Sequence, residues 1–197
     1  MPSSAQTPTL ISQYFSLPNA ITAIRLLLIV PFALLMANGE QRSGILALIV
    51  YAVALGSDFV DGPLARRTGT VTSIGGTFDH ATDFLFVTAG LFAGASRGVF
   101  PWILPSLIVV AFVQYFIDSY WIHRHGGLRK SNLGRYNGML YFVPLLLEIP
   151  IRMGARLFQP LLTVLVWGLV VSTMISIVQR LVFSFATEKL ASSSPQE

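Results

Sequence analysis

The sequence predicts an all-α integral-membrane protein with six transmembrane helices and a short N-terminal helix lying in the membrane interface. Of its 197 residues, 53% are hydrophobic and only 11% are charged, which is too few charges to cover a soluble globule of this size. Five or six apolar stretches approach the length that crosses a hydrocarbon core about 30 Å thick. Cysteine is absent, so any metal must be held by oxygen or imidazole ligands.

The elements follow one another in a simple order. Residues 1–19 form an N-terminal segment, in which Leu10, Ile11, Tyr14 and Phe15 recur at helical spacing over a stretch too short to span, as in an interfacial helix. One six-helix domain covers 20–186, and the Ser-rich polar tail, 187–197, is expected to be disordered. The six predicted spans are 20–38, 44–61, 77–96, 101–123, 136–155 and 158–184.

The distribution of basic residues predicts which side of the membrane the termini occupy. Six spans place both termini on one side, together with Arg66, Arg67, Arg124, Arg129, Lys130, Arg135 and Lys189, whereas the other side receives Arg42, Arg97, Arg152 and Arg156. This bias favours cytoplasmic termini, as in a bacterial inner membrane. The net charge of +4 does not indicate nucleic acid, because these residues are scattered between apolar spans rather than gathered in one stripe.

Ionisable residues inside the predicted spans concentrate at one depth. Each costs about 2.5–3.5 kcal/mol on insertion scales, so each is a candidate for a functional role. Near the cytoplasmic surface the topology brings together polar groups from five spans: Arg25, Asp58, Asp61, Asp79, Asp83, Asp118 and Arg180. Glu148 is the exception, deep in the fifth span. For Asp118, Arg180 and Glu148, a satisfied polar pair is as good an explanation as a functional role.

The four aspartates of the second and third spans predict a metal site. Asp58 and Asp61 are three residues apart, and Asp79 and Asp83 four apart, so each pair lies on one helical face. Four unpaired carboxylates at one depth would repel strongly, and one or two divalent cations would neutralise them. Oxygen ligands favour Mg²⁺, and Mn²⁺ or Ca²⁺ would also fit. The glycines and arginines of the intervening segment suit a phosphate-rich ligand.

The segment from Asp58 to Asp83 also carries a longer pattern. It reads DFVDGPLARRTGTVTSIGGTFDHATD and fits D-x2-D-G-x2-A-R-x8-G-x3-D-x3-D at all eight fixed positions. This resembles the signature of the CDP-alcohol phosphotransferase family. A second segment, PNAITAIR from Pro18 to Arg25, is similar to the P-N-x-x-T-x-x-R motif that many members carry on the first membrane helix.

The resemblance implies a role for each matched position. The metal ligands would be Asp58, Asp61, Asp79 and Asp83, holding two Mg²⁺ or Mn²⁺ ions, and Asp83 would also be the catalytic base that takes the proton of the attacking hydroxyl. The CDP moiety would be bound by Asn19, Thr22, Arg25, Asp58, Gly62, Ala65, Arg66, Thr72 and Gly75. The reaction implied is displacement at the phosphorus distal to cytidine with release of CMP, and the family suggests a homodimer.

The sequence predicts transfer of a phosphatidyl group from CDP-diacylglycerol to a polar alcohol. Candidate acceptor-binding residues are Arg124, Arg129, Lys130, Arg135 and Asn137, which positive-inside anchoring explains equally well. Members that make phosphatidylglycerophosphate often carry Lys after the last aspartate and a Lys-rich segment before the fifth helix, whereas here the residues are Phe84 and RKSNLGRYNG.

Two alternatives stay open. The ARRT and FDHATD segments look locally like choline and ethanolamine phosphotransferases, which would take a CDP-amino-alcohol donor and a diacylglycerol acceptor. A small cation transporter is a more distant alternative, because intramembrane aspartates can line an ion path. A transporter, however, would distribute its carboxylates through the depth of the bilayer.

Overall fold

Helices account for all the regular structure that the computed structural model describes. The backbone is described for residues 17–68, 73–125 and 132–193, and the side chains for 23–56, 80–117 and 133–182. The helices are α1 Leu17–Ala37, α2 Gln41–Thr68, α3 Ser73–Ser96, α4 Ile103–His125, α5 Asn132–Leu140, α6 Phe142–Arg152 and α7 Gln159–Ser193, with a 3-10 turn at Arg156–Phe158. The all-α class is therefore confirmed over these ranges. The predicted interfacial helix lies outside them, except for Leu17 at the start of α1.

The chain divides into two compact units, Met1–Gly90 and Leu91–Glu197. In the first unit α1 packs closely on α2. The short loop between these helices is fixed by Asn38, whose side-chain oxygen accepts the backbone N–H of Glu40 at 2.9 Å. The apolar core of this unit is centred on the rings of Phe32, Tyr51 and Phe86, which are almost fully buried.

The second unit is organised around α7, which packs against α4, α5 and α6. Its core contains fully buried aliphatic side chains, including Leu104, Leu145 and Ile149. The turn that leads into α4 begins at Gly98, whose φ of 75° lies in the left-handed region that favours glycine. This turn leaves Arg97 immediately beyond the end of α3.

The predicted fifth span, 136–155, falls on two helical segments rather than one. It is formed by α5 and α6, which are separated at Tyr141. Pro144 explains the break, because it has no N–H to donate to the carbonyl of Leu140 four residues earlier. The N–H of Tyr141 still bonds to the carbonyl of Asn137 at 2.9 Å, so α5 keeps its last turn.

Glu148 of α6 is held by two arginines. Arg152, one turn later on the same helix, donates two hydrogen bonds to its carboxylate. Nε donates to Oε1 at 3.0 Å, and Nη2 donates to Oε2 at 2.8 Å. Arg97 adds a third from Nη1 to Oε1 at 2.9 Å. The side chains of Glu148 and Arg152 are each 3% exposed, and that of Arg97 is 20% exposed. Of the two explanations that the sequence left open for Glu148, the satisfied ion pair is therefore the one observed.

One segment of the described side-chain ranges is long and apolar enough to cross a membrane: Arg156–Val182, with a mean hydropathy of 2.4. Three shorter apolar helical segments, Ala23–Ala37, Gln41–Gly56 and Ile103–Ile117, have between 10 and 17 residues. The number of spans predicted from the sequence thus stays a prediction.

The last helix is longer than expected. α7 continues to Ser193, so residues 187–193, which the sequence assigned to a disordered tail, are helical. The reason is local, because Glu188, Lys189, Leu190 and Ala191 are all good helix formers. The sequence prediction gave more weight to the serines that follow, and residues 194–197 lie outside the described ranges.

We expect Glu148→Gln to destabilise the protein more than Arg97→Gln. Removing the carboxylate leaves two guanidinium groups facing each other in a buried site, and breaking a buried ion pair in this way costs about 3–5 kcal/mol. Removing Arg97 leaves the neutral, bidentate Glu148–Arg152 pair intact. Thermal unfolding in detergent micelles measures the difference, with Glu40→Gln, at an exposed carboxylate, as the control. An equal or larger loss for Arg97→Gln would contradict this account of the cluster.

Candidate active site

Two residues that the sequence singled out for different tasks are joined in the first unit. Arg25 of α1 donates from Nη1 to Oδ1 of Asp83 on α3, at 2.5 Å. The side chain of Arg25 is 1% exposed, whereas that of Asp83 is 25% exposed. The sequence assigned Arg25 to the nucleotide pocket and Asp83 to metal binding and proton transfer. The structure brings the two together as a charge-assisted ion pair. The assignment of Arg25 to the nucleotide pocket stays a prediction.

The different exposure of the two partners determines what this pair can do. The guanidinium of Arg25 is closed off from solvent, and Asp83 supplies a countercharge for it. The carboxylate of Asp83 is 25% exposed, and its two oxygens offer about four lone-pair positions, so it can take part in more than one bond at once. Asp83 can therefore accept a further bond from a cation or a hydroxyl group while Arg25 fixes its orientation.

Most of the other predicted site residues lie on the same three helices. Asn19 and Thr22 are on α1, and Asp79 and Gly75 are on α3, while the remaining ones belong to α2: Asp58, Asp61, Gly62, Ala65 and Arg66. Their backbone is described but their side chains are not, and Thr72 lies wholly outside the described ranges. The expectation that each aspartate pair shares one helix holds for the backbone, since both pairs fall within α2 and α3 and are separated by about one turn.

Asp83 is the one predicted metal ligand whose side chain is described. Within the described side-chain ranges no group of three His, Asp or Glu side chains comes together. The chemistry of the donors still suits a hard cation, because a partly exposed carboxylate is the kind of ligand that Mg²⁺ takes. The predicted metal site stays a prediction at Asp58, Asp61 and Asp79.

The predicted acceptor residues separate in the second unit. Arg135 of α5 is exposed, whereas Asn137, two residues later, is 2% exposed. Positions two residues apart lie on nearly opposite faces of a helix, which accounts for the difference. Arg124 is on α4 with its side chain undescribed, and Arg129 and Lys130 lie outside the described ranges. Of this set, therefore, only Asn137 is placed in the interior among the side chains that are described.

Asn137 belongs to a buried polar network between α5 and α7. Its Oδ1 accepts a hydrogen bond from Ser172 Oγ at 2.8 Å. One turn later on the chain, the Tyr141 hydroxyl lies 2.8 Å from Thr173 Oγ1. Thr173 donates its own proton to the carbonyl of Leu169 at 2.6 Å, so Tyr141 must be the donor in the first bond. Asn137 Nδ2 is buried and meets no acceptor among the described residues.

Arg180 lies beside this network, over the ring of Tyr115. The guanidinium carbon is 5.4 Å from the ring centroid, within the range of a cation–π contact. Gly134 of α5 makes room for it, since a Cβ at that position would come within 2.8 Å of Nη2 of Arg180. The atom met is the far end of a flexible side chain, so a larger residue at position 134 would require Arg180 to shift.

The sequence prediction missed most members of this network. It identified Arg180 as an ionisable residue in a span, but it did not connect Arg180 with Ser172, Thr173 or Tyr141. A signal was present, because Ser172, Ser176 and Arg180 recur every four residues along an otherwise apolar helix and so lie along one face. A polar stripe of that period indicates an interior face.

Comparison with known proteins adds the family. The sequence profile of the CDP-alcohol phosphatidyltransferase family matches residues 15–178, which include α1 to α6 and most of the apolar part of α7. The match contains both segments that carried the resemblance, Pro18 to Arg25 and Asp58 to Asp83.

Three curated relatives show the range of activities in this group. The chain is 34% identical over 96 residues to a CDP-diacylglycerol–glycerol-3-phosphate 3-phosphatidyltransferase of Pseudomonas fluorescens, covering 48% of this chain and 49% of that protein. It is 30% identical over 115 residues to a CMP-forming cardiolipin synthase of Streptomyces coelicolor, covering 56% and 53%. It is 36% identical over 95 residues to an archaetidylinositol phosphate synthase of Pyrococcus horikoshii, covering 47% and 48%.

The chain thus spans about half the length of the curated relatives it matches. The family profile is more extensive and covers most of the chain, including the helices that carry the Arg25–Asp83 pair and the buried Asn137 network. On that basis the chain belongs to the CDP-alcohol phosphatidyltransferase family.

Proposed function

We propose that this protein is an enzyme that transfers a phosphatidyl group from CDP-diacylglycerol to the hydroxyl of a polar alcohol and releases CMP. The observation that carries the proposal is the family match across residues 15–178, within which all eight fixed positions of the signature are intact. A protein that had lost this chemistry would have no need to keep four aspartates in the interior of an apolar chain, where each is costly.

The donor follows from the relatives. One is named for CDP-diacylglycerol and another for the formation of CMP, and the named acceptor differs between them. The simplest explanation is therefore that these proteins share the donor substrate and differ in the acceptor substrate. For this chain the particular alcohol is left to experiment, since Phe84 and the RKSNLGRYNG segment depart from the lysine-rich pattern associated with glycerol phosphate.

The catalytic base in this proposal is Asp83. The alcohol oxygen forms a bond to the phosphorus distal to cytidine, the bond from that phosphorus to the bridging oxygen breaks, and CMP leaves with that oxygen. The proton of the alcohol passes to the carboxylate of Asp83. Its partial exposure and its hydrogen bond from Arg25 suit this task, because a general base must be both reachable and oriented.

The divalent ions would be held by Asp58, Asp61, Asp79 and Asp83. When bound, Mg²⁺ or Mn²⁺ would neutralise phosphate oxygens and stabilise the negative charge that develops on the leaving CMP. Gly62, Ala65 and Gly75 would leave space for the nucleotide, and Arg66 would pair with its phosphates. Asn19, Thr22 and Thr72 would complete that pocket. Arg25 would also belong to the nucleotide pocket, in addition to its hydrogen bond to Asp83.

The acceptor-binding residues in this proposal are those that the sequence predicts. Asn137 supports this assignment, since its buried Nδ2 group has donor capacity that the described residues do not use. Arg124, Arg129, Lys130 and Arg135 would attract the headgroup of the acceptor from the cytoplasmic side. Exposure of Arg135 is compatible with such a role at the surface.

The proposed setting is a multi-pass protein of a bacterial inner membrane, with six spans, cytoplasmic termini and an active site at the cytoplasmic face. Family membership and the apolar segment Arg156–Val182 support it. The helices α1 to α4 have 21, 28, 24 and 23 residues, and about 20 are needed to cross the hydrocarbon core. In this setting α5 and α6 together make the fifth span. A homodimer is proposed from the family resemblance.

A panel of donors and acceptors tests the proposal directly. Purified protein in detergent or lipid should release CMP from CDP-diacylglycerol in the presence of one of a set of polar alcohols, including glycerol phosphate, inositol phosphate and phosphatidylglycerol. CMP is measured by chromatography, and the lipid product by mass spectrometry. Release of CMP from CDP-choline or CDP-ethanolamine with diacylglycerol as acceptor would overturn the donor assignment.

We expect both EDTA and the substitution Asp83→Asn to abolish CMP release, and only the effect of EDTA to be reversed by Mg²⁺. EDTA should stop CMP release and excess Mg²⁺ should restore it, because the proposed ligands hold the ions only through oxygen atoms. Asp83→Asn should reduce turnover to background, and added Mg²⁺ should not restore it, since an amide cannot accept the hydroxyl proton. Glu40→Gln, at an exposed carboxylate outside the signature, is the matched control. Turnover that survives EDTA would contradict the metal site, and near-normal turnover of Asp83→Asn would contradict the assignment of the base.

A further inference from the structure

The Arg25–Asp83 pair lies next to a cluster of buried rings that the sequence did not single out. Arg25 and Phe32 are two turns apart on α1, and Asp83 and Phe86 are about one turn apart on α3. Residues at these spacings share a helix face. Two contacts therefore connect α1 and α3 on the same face: the Arg25–Asp83 ion pair and the Phe32–Phe86 ring pair.

The ring contact is close and well aligned. Phe32 and Phe86 stack with centroids 4.3 Å apart and planes 14° apart. Tyr51 of α2 closes the cluster from the side, with its ring centroid 6.0 Å from that of Phe32 and 6.3 Å from that of Phe86. Phe32 and Phe86 are both 0% exposed, and Tyr51 is 3% exposed. The three helices that the structure describes in the first unit thus meet at these rings.

This arrangement places a rigid apolar layer beside the charges. A ring has few rotamers, and a stacked pair between two helices fixes both their separation and their relative slide. The orientation of the Asp83 carboxylate therefore depends on Phe32 and Phe86 as well as on Arg25.

We propose that Phe32 and Phe86 are positioning residues for the reaction, which set the location of the Asp83 carboxylate by fixing α3 against α1. The proposal rests on the proposed function, in which Asp83 is the base. Neither ring needs to touch substrate, because each acts through the helix that carries Arg25 or Asp83. A misplacement of a reacting group by about 1 Å can cost roughly 100-fold in rate, so a modest movement of α3 would be visible in turnover.

The kinetic test compares loss of the ring with loss of an equally buried side chain elsewhere on α1. Phe86→Leu and Phe32→Leu should each lower kcat by about 10- to 100-fold, with KM for CDP-diacylglycerol changed by less than about threefold. Phe86→Tyr, which keeps the ring, should recover most of the kcat. Met36→Ala removes a fully buried side chain outside the ring cluster and should leave kcat near the wild-type value.

A second measurement does not depend on activity and uses the absence of cysteine from the chain. Spin labels at Leu27→Cys on α1 and Leu85→Cys on α3, whose wild-type side chains are 75% and 45% exposed, would report the distance between the two helices. Electron–electron double resonance should give one narrow distribution in the wild type and with Met36→Ala. It should give a shifted or broader one with Phe86→Leu.

The outcomes separate the two proposals. If the wild type releases no CMP from any donor, the proposed function fails, while the distance measurement still tests whether the rings fix α3 against α1. An unchanged distance distribution and an unchanged kcat in both leucine variants would overturn the positioning role. So would a loss in Met36→Ala as large as that in Phe86→Leu. If Phe86→Leu does not fold, Phe32→Leu and Phe86→Tyr provide the same comparison.

Discussion

The first unit depends on the cost of burying a guanidinium group. Arg25 is closed off from solvent on a helix that is otherwise almost wholly apolar, and an isolated charge in such a place costs several kcal/mol. Asp83 supplies the countercharge from α3, and the rings of Phe32 and Phe86 hold the two helices at the spacing that this bond needs. The same carboxylate is the most exposed part of the arrangement. In the proposed function, the side chain that neutralises Arg25 is therefore also the catalytic base.

The second unit also contains buried charged and polar groups, and it stabilises them by other contacts. Glu148 is shared by two arginines, so its charge is more than neutralised within the protein. The Asn137 network avoids charge altogether and relies on amide and hydroxyl groups, with a single donor left unused among the described residues. Arg180 is placed against an aromatic ring. These solutions differ in the capacity they leave for a ligand, which is small at Glu148 and larger at Asn137.

Much of this could be predicted from the sequence, and the reasons for success and failure are physical. The apolar stretches predicted the helices. The charged residues Arg25, Asp83 and Glu148 could be identified as candidates because charged side chains are rare in apolar spans. What the sequence could not supply was pairing, since Arg25 meets a residue on another helix 58 positions away. The break at Tyr141 was predictable from Pro144. It was missed because the span was assigned from hydrophobicity, which is high on both sides of the break. The ring cluster was hidden because a buried phenylalanine in an apolar helix looks like any other.

The two bonds that hold Glu148 differ greatly in the length of chain that they close. Arg152 is four residues away on the same helix, whereas Arg97 is 51 residues away. Local contacts form early and at little entropic cost, whereas distant ones must wait for a long loop to close. As the chain is synthesised, α6 can thus be electrically neutral as soon as it is helical, before it meets Arg97. A segment with an acidic residue and two prolines can in this way enter an apolar environment with no net charge, and Arg97 then adds its bond during assembly.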